Sequence, residues 1–314
     1  MDTTFFYHPV FLEHDNGPHP ESPARLRVIL SHLQEVFGER LRVTEPGTAA
    51  IEDLTGVHDR AYLESVARLC RNGGGDLDAD TPVSLRSFEA ALLGAGAMQG
   101  CADALMLGKT RSAFALVRPP GHHARPAAGM GFCVINNIAV AAEHLKRRHN
   151  VKRILIADFD VHHGNGTQEI FYRDASVFFL SIHRILFYPG TGGAIERGEG
   201  PGLGKTLNLP IMFGTPPHAF VDAFASGLRR ASEAHDPEIL LVSAGFDAYA
   251  HDPVGGLGLM PEHYRSIADS IRETAERFCN GKILTTLEGG YSLSGLPLCL
   301  EAYVRGLEGM ASRE

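Results

Sequence analysis

Short apolar runs alternate along the chain with stretches in which apolar positions recur at helical spacing. The runs predict strands at Thr3–Tyr7, Ser112–Val117, Arg153–Asp158, Val177–His183, Thr206–Leu209, Glu238–Ser243 and Lys282–Leu287. Several, such as Ile239-Leu240-Leu241-Val242, are apolar at consecutive rather than alternate positions. That suits strands covered on both faces, the condition of a parallel sheet. Between the runs the periodicity predicts helices. In one, Leu26, Leu30, Leu33 and Phe37 form a stripe, with Ser22 as N-cap, Pro23 at the first helical position and Gly38 as the stop. Others are predicted near 84–107, 136–148, 217–235, 261–278 and 294–310. This alternation predicts an α/β fold with a mostly parallel central sheet flanked by helices. No repeat, low-complexity tract or linker interrupts the pattern, so residues 1–314 read as a single domain.

Composition adds limits. The chain has 314 residues, 44% hydrophobic and 21% charged, enough for a large core in an ordinary globular protein. No apolar run reaches the roughly 18 residues of a membrane span. The start, Met1-Asp2-Thr3-Thr4-Phe5, lacks the basic and apolar regions of a signal peptide, so a cytoplasmic location is expected. A net charge of −8 argues against a direct electrostatic grip on nucleic acid or anionic lipid, and leaves room for a lysine-rich protein partner. The five cysteines are dispersed with no Cys-x-x-Cys pair, which suits reduced core thiols rather than disulfides or a cysteine metal site.

In an open parallel sheet the ligand site lies beyond the carboxyl ends of the strands. Four predicted strands end in chemically active segments: Arg118-Pro119-Pro120-Gly121-His122-His123, Asp158 through Gly166, Ala244-Gly245-Phe246-Asp247, and Glu288-Gly289-Gly290-Tyr291. Asp160 and His162, two apart on an extended segment, point to the same side. With Asp247 from another strand they suit a divalent metal, and three protein ligands leave a position for water. An isolated Asp-x-His is more often a cap or a turn, and each element alone has an ordinary structural reading. Their joint placement on four strand ends is what argues for chemistry.

These segments, preceded by His19-Pro20-Glu21, resemble the signature motifs of the histone deacetylase and acetylpolyamine amidohydrolase superfamily, in order over most of the chain. The resemblance implies the three-layer arginase-deacetylase fold, with a narrow acyl channel ending at zinc. It makes Asp160, His162 and Asp247 the zinc ligands, His122 and His123 the proton-handling pair, and Tyr291 the carbonyl-polarising hydroxyl. Asp158 orients His122; Asn165 stands behind His123, where class I relatives carry aspartate, so the chain looks class II-like. Gly131, Phe132 and Tyr188 match channel-lining positions, tyrosine replacing the family's usual phenylalanine at the last. Asp158, Asp160, His162, Ser181 and Ile182 match a monovalent cation site, for potassium, served mostly by backbone oxygens.

The implied reaction is hydrolytic removal of an acyl group from the side-chain amine of lysine in a protein or peptide. Three rivals bear on it. An acetylpolyamine amidohydrolase would act on acetylated small amines; its eukaryotic members place a glutamate gatekeeper where this chain has Val254. An arginase-like two-manganese enzyme needs further aspartates, where the chain has Gly164, Gly245 and Tyr249. A non-catalytic scaffold would be expected to lose ligands, histidine pair or tyrosine, and all are present.

Overall fold

The computed structural model describes residues 1–311. Its strands are β1 (Thr3–Phe6), β2 (Arg42–Thr44), β3 (Gly74–Asp76), β4 (Pro82–Ser84), β5 (Ser112–Ala115), β6 (Ile154–Asp158), β7 (Val177–Arg184), β8 (Thr206–Ile211), β9 (Ile239–Ala244) and β10 (Ile283–Leu287). Its α-helices are α1 (Pro23–Phe37), α2 (Ile51–Leu54), α3 (Arg60–Arg71), α4 (Ser87–Met106), α5 (Asn137–His149), α6 (Asn165–Phe171), α7 (Pro217–His235), α8 (Pro261–Phe278) and α9 (Leu296–Leu307).

Eight strands form one sheet in the order β2-β1-β5-β10-β9-β6-β7-β8, and every neighbouring pair is parallel. Each residue of β1, β5, β6, β9 and β10 is buried, as strands covered on both faces require. Helices α7, α8, α9 and α1 pack one against the next, while α4 packs on α5 and on the central strands. A two-stranded antiparallel ribbon, β3–β4, stands apart from the sheet.

All seven predicted strands are present, with ends shifted by no more than two residues. Pro217–His235 and Pro261–Phe278 match the predicted helices at both ends. Four corrections concern local structure. Ser22 occupies the N-cap of α1, but its side chain makes no capping hydrogen bond; Pro23 and the left-handed Gly38 carry the boundaries instead. The apolar pattern did not predict β2, which is exposed throughout and exists because its backbone pairs with β1. Nor did it predict the three-residue strands β3 and β4. Nor did it predict helices α2, α3 and α6, although Tyr62, Leu63, Val66, Ala67 and Cys70 bury one face of α3. Among the described residues no helix is long and apolar enough to cross a membrane, and all five cysteines are buried and unpaired.

Strand register sets the site. Asp158 is level with Ser243 and with Ser181, and Ser243 with Thr286. The segments that leave β6, β9 and β10 therefore emerge side by side at one edge of the sheet.

Candidate active site

Asp160 and His162 follow β6, and Asp247 follows β9. His162 Nδ1 lies 3.0 Å from Asp160 Oδ1 and 3.1 Å from Asp247 Oδ2, with all three side chains buried. The outer oxygens are held by backbone: Gly289 N–H donates to Asp160 Oδ2 at 2.8 Å, and Val161 N–H to Asp247 Oδ1 at 2.9 Å. Asp247 Oδ2 receives no aligned hydrogen bond. Burial and the like charge of Asp160 push the Asp247 carboxyl up to about 7. Two carboxylates so close in a dry site, one with an unserved oxygen, beside an imidazole nitrogen, form a donor set that suits a dication. The cluster is packed among glycines: a Cβ at Gly245 would strike Asp160, and one at Gly289 would strike both Asp160 and Asp247.

The two histidines after β5 stack beside this cluster, ring centroids 4.0 Å apart. His122 Nδ1 is 3.0 Å from Asp158 Oδ2, and His123 Nδ1 is 2.8 Å from Asn165 Oδ1. Asn165 Nδ2 donates to Met130 Sδ at 3.4 Å, which keeps the amide oxygen toward His123. The pair is electrostatically split. Burial disfavours charge on His122, but the Asp158 and Asp160 carboxylates outweigh it and hold the imidazole up at about 10. Burial, then the positive charges of His122 and His162, push His123 well below the ordinary histidine range. The two imidazoles thus sit in opposite electrostatic environments, a division that acid–base chemistry can use.

Tyr291 follows β10. Its ring lies 5.0 Å from the Arg25 guanidinium and meets Phe132 edge-on at 5.8 Å. Burial, reinforced by the Asp247 charge, raises the phenol well above its usual range, so it stays a hydrogen-bond donor. The turn at Gly131 and Phe132 has positive φ at both residues (55° and 70°), and Phe132 N–H donates to Thr81 Oγ1 at 3.0 Å. A Cβ at Gly131 would collide with His123 and Tyr188, whose rings meet edge-on at 5.1 Å. Gly131 and Tyr188 thus lie against His123, and Phe132, next in the chain, meets Tyr291. Val254 lies in the loop after Asp247, half-buried, with its N–H on Asp252. Ser181 and Ile182 are fully buried on β7, level with the end of β6. Gly164, where a second-metal aspartate would stand, has no room for a side chain: a Cβ there would strike Asp158.

Several residues to which the motifs assign no role hold these groups. Glu21, fully buried, accepts from Arg118 Nη2 at 2.7 Å and from Arg25 Nη1 at 3.0 Å. Arg25 also donates to the Glu288 and Gly290 carbonyls that precede Tyr291. Glu288 Oε2 accepts the N–H groups of Gly121 and His122 at 2.7 and 3.1 Å. Phe187 stacks on the His162 ring, centroids 5.1 Å apart.

Comparison with known proteins gives a consistent picture. The histone deacetylase domain family matches residues 19–307. A histone deacetylase-like amidohydrolase of Pseudomonas aeruginosa is 38% identical, covering 99% of this chain and 87% of its own length. A probable deacetylase of Archaeoglobus fulgidus is 37% identical, covering 100% and 89%. The crystal structure of the HDA15 HD domain superposes with a TM-score of 0.93 at 36% identity, covering 99% of this chain and 89% of that one. With its parallel eight-stranded sheet flanked by helices, the fold is the arginase-deacetylase fold, and this chain belongs to the histone deacetylase family.

Proposed function

We propose that the chain is a zinc-dependent deacylase that hydrolyses the side-chain amide of acyl-lysine in proteins or peptides. The observation that carries this reading is the Asp160–His162–Asp247 donor set lying against a histidine pair of opposite protonation preference. Zinc held by those three residues would polarise the substrate carbonyl and acidify water at neutral pH. The rest belongs to side chains. With Nδ1–H donated to Asn165, His123 offers Nε2 to take a proton from water. His122, charged against Asp158, supplies a proton toward the departing amine. The Tyr291 hydroxyl donates to the carbonyl oxygen as negative charge grows there. Phe132 and Tyr188 flank an extended acyl-lysine stem. Asp158, Asp160, His162, Ser181 and Ile182 would hold potassium beneath the site and stiffen it.

Protein acyl-lysine is favoured over acetylated polyamines because Val254 offers a distal ammonium no charge to pair with. A panel of acetyl-, longer-acyl- and trifluoroacetyl-lysine peptides beside acetylated spermidine and putrescine tests this. Higher kcat/KM on the peptides is expected; preference for the polyamines would reassign the substrate while leaving the chemistry.

A further inference from the structure

We propose that Asp103, His144 and His149 form a second metal site, remote from the deacylase centre, that takes a borderline divalent cation such as zinc, nickel or copper(II) and staples α4 to α5. Asp103 lies on α4; His144 and His149 lie on α5. The Nε2 atoms of both histidines converge on one atom, Asp103 Oδ1, at 2.8 and 2.6 Å. Their ring centroids are 5.7 Å apart, and the three donor atoms all lie within 4.8 Å of one another.

A tetrahedral cation with bonds of about 2.0–2.1 Å needs donors about 3.3 Å apart. The two carboxylate–imidazole separations must therefore widen by about 0.5–0.7 Å to admit it. The geometry permits that: the imidazoles are 17% and 16% exposed and rooted on packed helices, while the 46% exposed carboxylate is free to swing. Both Nε2 atoms already face the carboxylate, the direction from which their lone pairs would reach a metal when the ring proton sits on Nδ1.

Two imidazoles and one carboxylate select borderline transition metals over magnesium or calcium. His149 is the last residue of α5, where the unpaired carbonyls favour a cation. A cavity of about 320 Å³ lined by Asp53, Gln99, His144, Arg147 and Arg148 opens beside the cluster and admits water as further ligands. The two arginines there oppose a cation, so affinity in the micromolar range is expected rather than that of a permanent structural site.

The test is equilibrium dialysis of the whole protein against zinc or nickel, followed by metal analysis, thermal melting and an acetyl-lysine assay. Wild type should hold two equivalents of zinc. His149→Gln, which keeps a donor for Asp103, and Asp103→Asn, which keeps the helix surface polar, should each hold one and retain turnover. Nickel should raise the melting temperature of wild type by about 2–4 °C more than that of His149→Gln. Full metal content in both variants, or a single equivalent in wild type that Asp247→Ala removes, would overturn the site. This outcome is separable from the deacylase reading: if that reading fails, Asp247→Ala leaves the metal count intact while His149→Gln still lowers it.

Discussion

The Asp252 carboxylate accepts the backbone N–H of Tyr291 at 2.7 Å, locking the turn after β10 to the loop that follows Asp247. The same oxygen accepts Ser292 N–H at 3.1 Å, and the other oxygen accepts Val254 and Gly255 N–H at 2.9 and 3.1 Å. Four backbone donors on one side chain make Asp252 a positioning residue for the Tyr291 hydroxyl. Asp252→Ala should lower kcat by about 10- to 100-fold through misplacement of that hydroxyl. KM and metal content should change little. A variant with wild-type kcat would separate Asp252 from Tyr291.

Tyr291→Phe isolates the hydroxyl. The ring contacts with Arg25 and Phe132 remain, so folding and metal content should be normal. Loss of one donor to a developing oxyanion lowers turnover of acetyl-lysine by about 100- to 1,000-fold. A trifluoroacetyl-lysine substrate, already electrophilic, should lose much less. Equal losses on both substrates, measured as kcat, would take Tyr291 out of the reaction.

Glu21 is the hinge of a buried charge network. Removing one partner strands the Arg25 and Arg118 guanidiniums, both fully buried. Glu21→Gln should lower unfolding free energy in urea by about 3–5 kcal/mol, as expected when a buried ion pair is broken. An unchanged urea midpoint would show that the network contributes nothing net.

Acid should destabilise the fold through buried neutral histidines. His58 accepts Asn136 N–H at Nε2 (2.9 Å) and places Nδ1 2.9 Å from the Arg125 carbonyl, so its proton sits on Nδ1. Burial pushes its pKa down to about 4 from the ordinary 6.5. Between those values the unfolded chain binds the extra proton and the folded chain does not. Stability is therefore full above 6.5 and falls as pH drops toward 4, by up to about 1.4 kcal/mol per pH unit for this group. Urea unfolding at pH 7, 6 and 5 should show the decline, and His58→Gln should reduce its slope. A slope identical in the variant would assign the effect elsewhere.

Most of the fold's frame was legible because buried parallel strands are unbroken apolar runs, and because proline marks the starts of α1, α7 and α8. The residues gathered at the site were legible because each motif is contiguous and directly follows a strand. What was not legible depends on long-range pairing. Strand β2 has no buried side chain to announce it. Glu21 and Arg118 are 97 positions apart, and nothing in the motif that contains either one announces that they pair. The same holds for Asp103 and His144, which meet only once α4 packs on α5. Helix α3 differs: its apolar stripe was there to be read.

The most direct test of the account is metal analysis paired with acetyl-lysine peptide turnover on the same preparations: as purified, chelator-stripped, zinc-restored, and Asp247→Ala. The account predicts that stripping abolishes turnover, that zinc restores it, and that Asp247→Ala lacks both activity and one equivalent of metal. Full turnover in a rigorously metal-free preparation, or an active Asp247→Ala variant, would contradict it.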